Sequence, residues 1–256
     1  MDFDNEAGEL QRKIAQCLEG VARRKSMLES LALESGQDIL DLGCGGGQLT
    51  RELGLAVGPD GRVVGVDPSV SQVTAARELC KTLDNVRFTQ DSATELSFEN
   101  DTFDTVTSTQ VLEYVSDVDK AISEIRRVLK KSGRFCSISV LWDHWRFYGP
   151  DPTLNDKIHE VFRAHCFHQM LPMELPQKLK NSGFSVINVT PIGFINQTLH
   201  QNSFALWASK LISIFALNNG MTRSDVEQWQ EQLEAANHEG RFGFMSVPVL
   251  TTSIAV

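Results

Sequence analysis

Directly after the apolar run Ile39-Leu40-Asp41-Leu42, the chain reads Gly43-Cys44-Gly45-Gly46-Gly47. Glycines at this density let the backbone turn sharply and bring bare main-chain N–H groups against a ligand. The helix that follows at once offers further unpaired N–H groups at its start. That is the chemistry of a nucleotide-type cradle. Carboxylates recur after it, with Asp67 ending one apolar segment and Asp91 following another. Farther on, Glu113, Tyr114, Asp143 and His144 are side chains able to hold or move a proton. Cys44 reads as a small turn residue and not as a nucleophile. His159, His165 and His168 lack the tight H-x-x-x-H or H-E-x-x-H spacing of a metal site, so no metal is expected.

These residues need elements to position them. Glu6 to Leu33 is helical by its threes-and-fours spacing, and Gly36 stops it. The strand at Ile39–Leu42 leads through the glycine turn into a helix from about Gly46 to Val57. A second strand, Arg62 to Asp67, is followed by a helix that Ser69 caps and that runs to about Leu83. Asn85 to Gln90 and Phe103 to Ser108 are further strands. Asp117 caps a helix ended by Ser132-Gly133, and Arg134 to Leu141 is a fifth strand. Pro172 to Gly183 reads as a helix and Phe184 to Ile192 as a sixth strand. Asn202 to Leu217 and Ser224 to Asn237 read as helices, the second capped by Ser224. Arg241 to Ile254 is a last strand, in which Pro248 predicts a bulge or an edge. Such alternation predicts an α/β fold with a doubly wound, mostly parallel sheet and ligands at the C-terminal strand ends. Residues 1–35 then form an N-terminal helical segment and 36–256 the main domain, with inserts at about 144–170 and 195–238 as candidate lids.

The 256 residues fit one large domain, or one with a lid. A net charge of −9 argues against a nucleic-acid partner. Five cysteines with no C-x-x-C pair point to a reducing, cytoplasmic setting without a disulfide framework. Met1 to Glu6 is acidic and is not read as a signal peptide. The most apolar window, Phe204 to Leu217, is too short to span a bilayer, so no stable membrane insertion is expected. It can serve as lid or core, as a dimer face or as a membrane-surface helix. The chain is expected to be a monomer or a homodimer.

Two cofactor readings compete for the glycine turn. A nicotinamide oxidoreductase wants G-x-G-x-x-G, and its third glycine would fall at Gln48. The chain has G-x-G-x-G at Gly43, Gly45 and Gly47. Asp41-Leu42-Gly43-Cys44-Gly45-Gly46-Gly47 resembles the first motif of class I S-adenosylmethionine-dependent methyltransferases. Val64 to Ser69, Gln90 to Ala93, Phe103 to Val115 and Ile125 to Arg134 resemble four further blocks of that family, in order and spacing, over about residues 36–141. The resemblance implies a Rossmann-like seven-stranded sheet with an antiparallel last strand.

It also implies a role for each site residue. Gly43, Cys44 and Gly45 would let the carboxypropyl part of the cofactor lie against backbone. Asp41 would stand near its ammonium group, and Gln110 would offer that group a backbone carbonyl. Asp67 would accept both ribose hydroxyls, which suits one carboxylate. Asp91 would accept from the adenine amino group with the Ser92 N–H nearby, and Pro68 and Gln72 would flank the ring. Many family members have an apolar residue where Gln72 stands. The acceptor should lie above strands four and five, near Glu113, Tyr114, Trp142, Asp143, His144 and Trp145, with Asp143 or His144 as base or orienting group. The tail resembles small-molecule methyltransferases, so the expected reaction moves a methyl group to O, N or C of a small molecule by in-line displacement. A non-catalytic binding protein of this fold is the third reading.

Overall fold

The short run Asp38–Leu42 forms β1, and its side chains are buried on both faces of a sheet. In the computed structural model, which describes residues 6–256, β1 is an interior strand of a seven-stranded sheet. The acidic stretch Met1 to Asn5 lies outside the described residues. β2 (Arg62–Asp67), β3 (Val86–Gln90), β4 (Phe103–Thr109) and β5 (Leu129–Val140) join β1 in parallel. β7 (Phe184–Pro191) and β10 (Pro248–Ala255) complete the order β3-β2-β1-β4-β5-β10-β7, with β10 antiparallel to both of its neighbours. This is the expected doubly wound sheet with its antiparallel last strand.

Helices cover both faces. On one side α5 (Val118–Val128) and α7 (Leu171–Asn181) pack Ile122, Ile125, Leu171 and Leu175 against Leu40, Val64 and Val106. On the other, α2 (Leu18–Leu31) and α3 (Gln48–Val57) pack Met27, Leu31 and Leu53 against Ile39, Val63 and Ile138. α4 (Val70–Leu79) follows β2, and Ser69 caps it by accepting the Gln72 N–H. A third, aromatic-rich core brings together α1 (Glu6–Gln16), α6 (Pro152–Phe162), α8 (Phe204–Asn218) and α9 (Arg223–His238). A small antiparallel sheet of β6 (Arg146–Tyr148), β8 (Phe194–Asn196) and β9 (Gly243–Ser246) belongs with it.

Four expectations need correction. The first helix is two, because Cys17 is extended between them (φ −70°, ψ 169°); α1 turns away to pack on α8 while α2 stays on β5. The helix before β5 ends at Val128, since Leu129 pairs with Phe103, and Ser132 takes a left-handed turn (φ 63°) inside the strand. The last helix is capped by Thr222 and not by Ser224. The last strand is split: β9 joins the small sheet, and Pro248 begins β10, a first position where its missing N–H is tolerated.

Candidate active site

A cavity of about 410 Å³ opens at the C-terminal ends of β1, β2 and β4. Its floor is the glycine turn. The Gly43 and Cys44 N–H groups both donate to the Val66 carbonyl, at 2.8 and 2.9 Å, which folds the turn back over β2. Gly43 has φ 69°, and a Cβ there would lie 2.1 Å from a Val111 methyl. Gly45 has φ 50° and faces the Gln11 amide, 3.3 Å from where a Cβ would stand. Bare backbone is therefore required at this floor, as expected of a cradle for a ligand.

The three acids take different positions. Asp67 lines the cavity, with Oδ2 accepting the Gly45 N–H at 3.0 Å and Oδ1 the Ser69 N–H at 2.9 Å. Asp91 also lines it, and accepts from the Ser92 and Ser97 N–H groups, each at 2.9 Å. Asp41 does not line it. Its carboxylate is buried and accepts from the hydroxyls of Thr50 (2.6 Å) and Thr107 (2.9 Å), stapling β1 to α3 and β4. Burial pushes its pKa up to about 6, against the pull of those two hydrogen bonds. Cys44 is buried beneath the floor, and burial raises its thiol well above the ordinary value.

Pro68, Gln72, Ser92 and Gln110 all line the cavity. The Gln72 amide is committed elsewhere. It donates to the Gly8 carbonyl and the Gln11 side chain, both at 3.3 Å, and accepts from Arg12 at 3.2 Å. A polar side chain at this position thus ties α1 down over the cleft.

At the far end the wall changes character. Ile14, Tyr114, Trp142, Trp145, Phe167, Phe204 and Leu211 line it. Trp142 and Trp145 meet edge to face at 4.7 Å, and Trp145 stacks on Phe162 at 5.5 Å. Their indole N–H groups are buried and have no hydrogen-bond partner among the described residues. Tyr114 stands edge-on to Trp142, and burial, with the nearby Glu113 second, raises its phenol well above the ordinary value. It therefore remains a protonated donor at neutral pH.

The other expected acid–base residues do not face this cavity. Residues 142–144 form a 3-10 turn with three residues per turn, so Trp142 and Trp145 share its inner face while Asp143 and His144 point outward. Both are exposed, and Asp143 pairs with Arg163 at 2.7 Å on the rim of a separate cavity. Glu113 is fully buried behind the wall, where its Oε1 accepts the Val140 N–H at 3.0 Å. Burial pushes its pKa up to about 7. Gln11, Ile14 and Leu211 were not anticipated; Ile14 and Leu211 sit in helical apolar patterns that read as ordinary core, and Gln11 is a polar residue of the same first helix. Among the described residues, no helix is long and apolar enough to cross a membrane.

The comparisons agree with this geometry. A family described as a methyltransferase domain matches residues 33–182, more than half of the chain. An uncharacterized 37.1 kDa protein from a transposon of Streptomyces fradiae is 33% identical over 174 residues, 65% of this chain and 48% of that protein. A demethylmenaquinone methyltransferase of Staphylococcus aureus is 37% identical over 110 residues, 43% of this chain and 46% of that protein. The chain thus spans about half the length of the curated relatives it matches. The crystal structure of the YcgJ protein of Bacillus subtilis superposes with a TM-score of 0.65 at 23% identity, covering 92% of this chain and 98% of that one. The sheet order, the glycine cradle and the family match together identify this chain as a member of the methyltransferase-domain family.

Proposed function

We propose that the chain is an S-adenosylmethionine-dependent methyltransferase whose acceptor is a small, uncharged and largely apolar molecule. The observation that supports this most is the contrast along one cavity. Its cradle end presents backbone and two carboxylates, and its other end presents rings with no charged side chain among the described residues. The cradle fits the cofactor: Gly43 and Gly45 line the cavity at positive φ with bare main chain, and Asp67 stands at the end of β2 where a ribose diol would be received. Bound there, S-adenosylmethionine supplies a methyl group on an electron-poor sulfonium.

The chain's own residues then have three tasks. Tyr114, Trp142, Trp145, Phe167 and Phe204 exclude water and hold the acceptor by its apolar surface. Their ring faces also favour positive charge in a dry site. Tyr114 donates its O–H to orient a lone pair on the acceptor and takes no proton, because its phenol remains protonated. The acceptor must therefore bring a nucleophilic O, N or C, and any proton displaced from that atom leaves to solvent and not to Tyr114. Helices α1 and α8, supplying Ile14, Phe204 and Leu211, act as the lid over this end. The name of the Staphylococcus relative makes quinol-type rings the first acceptors to test.

The test has two stages. Calorimetric titration with S-adenosylhomocysteine should show saturable binding, and NAD binding in its place would overturn the cofactor assignment. Transfer of a labelled methyl group should then be found with quinols, phenols or isoprenoids. Transfer confined to charged acceptors would overturn the acceptor class.

A further inference from the structure

Among the residues lining the cavity, Gln110 stands out by its backbone. Its φ is 54°, in the left-handed region, at the point where β4 ends. For a residue other than glycine this conformation is strained and persists only where the surroundings impose it. Two contacts impose it here. The Gln110 N–H donates to the Ile138 carbonyl at 2.7 Å, and the Gln110 side-chain oxygen accepts from Nη1 of Arg23.

Arg23 comes from α2, a helix outside the family's glycine-turn segment. Its guanidinium lies beside the Phe204 ring, 5.9 Å from the centroid. Its Nε is buried with no hydrogen-bond partner among the described residues. Burial pulls its pKa down to about 10, so it stays charged at neutral pH. An enclosed guanidinium with a donor left unpaired is costly to keep for stability alone. Its hydrogen bond to Gln110 is the contact that reaches the cavity wall.

We propose that Arg23 is a positioning residue for the amino-acid end of the cofactor. By holding the Gln110 side chain it keeps that residue left-handed, and so fixes the direction of the Gln110 carbonyl. This rests on the cofactor reading above, in which that carbonyl receives the ammonium group.

Adenosine and S-adenosylhomocysteine share the ribose and adenine, but adenosine has no amino-acid end. Titration of both into the unaltered chain and into Arg23→Met separates positioning from general support. Arg23→Met is expected to weaken S-adenosylhomocysteine roughly tenfold while adenosine changes less than about twofold, the size of one lost hydrogen-bonding contact. The double variant Arg23→Met with Gln110→Gly should recover most of that loss, because glycine takes a positive φ without support. Equal weakening of both ligands, no weakening, or no recovery by glycine would overturn the inference. Should Arg23→Met fail to fold, Gln110→Ala carries the same comparison: it cannot be held by Arg23 and must lose S-adenosylhomocysteine selectively, and unchanged affinity overturns the proposal. An unaltered chain that binds neither ligand overturns the cofactor reading itself, a result distinct from any of these.

Discussion

The two ends of the cavity are built by opposite means. At the cradle end every carboxylate oxygen of Asp67 and Asp91 is held by a main-chain N–H, and the floor is main chain as well. At the acceptor end the wall is side chain, and the buried indole N–H groups of Trp142 and Trp145 have no partner among the described residues. The first end is preorganised by backbone that is already folded into the sheet. The second depends on how apolar side chains from α1, α8 and the segment after β5 pack together. The cradle should therefore fail when an atom is added to it. The acceptor end should instead change when a ring is removed.

The sharpest break is Gly43→Ala. The added Cβ would sit 2.1 Å from a Val111 methyl, at a backbone φ of 69°. Steric overlap and left-handed strain act together, and a loss of about 3 kcal/mol or more in stability is expected. Thermal unfolding should show it, with S-adenosylhomocysteine binding lost as well. A variant that unfolds at the normal temperature and still binds would mean that the cradle is not as tight as its backbone shows.

Asp67→Ala is milder. It removes an acceptor from the Gly45 and Ser69 N–H groups as well as from the ligand. Cofactor affinity should fall by about 1–3 kcal/mol. Phe204→Ala is its counterpart at the other end. It is expected to alter which acceptors are methylated while leaving S-adenosylhomocysteine affinity within about twofold, since Phe204 comes from the insert and not from the cradle. Equal effects of the two variants on cofactor affinity would dissolve the division between the ends.

The difference between the ends also explains what could be read from the chain. Cradle residues lie within 41–110, in the order in which the strands are laid down, so the family resemblance in that segment picks out Gly43, Asp67, Asp91 and Gln110. Acceptor residues come from positions 14, 114, 142, 145, 167, 204 and 211, and only folding brings these together. Ile14 and Leu211 give no signal beyond helical periodicity. Asp143 and His144 illustrate the converse problem. Their place after β5 suggested the pocket, but the 3-10 turn sends the tryptophans inward and the polar pair out. Gln72 was a further signal: a polar group at an apolar position marks a contact, here with α1.

Glu113 adds a pH dependence to the wall behind the rings. Its pKa rises from an ordinary 4.5 to about 7 on burial. Between those values the folded protein keeps a proton that the unfolded chain has released. The associated stability is present below about pH 4.5 and is lost as the pH rises through 7, by roughly 1–3 kcal/mol. Asp41, raised from 3.8 to about 6, acts in the same direction at lower pH. Glu113→Gln should therefore match the unaltered chain near pH 4 and become the more stable of the two toward pH 8. Parallel denaturation curves across that range would show that Glu113 does not keep its proton on folding.

The smallest effects are expected at Asp143 and His144. Asp143 makes an exposed ion pair with Arg163, and such pairs contribute about 0–1 kcal/mol. His144 is exposed on the outer face of the same turn. Neither reaches the aromatic end of the cavity without unwinding the turn that sets Trp142 and Trp145 in place. Asp143→Asn and His144→Gln should therefore leave cofactor affinity, unfolding temperature and the rate of methyl transfer to any acceptor found within about twofold of the unaltered chain. A tenfold loss of rate at unchanged cofactor affinity would mean that the turn rotates when the acceptor enters, bringing a charged group into an end that is uncharged in the folded chain.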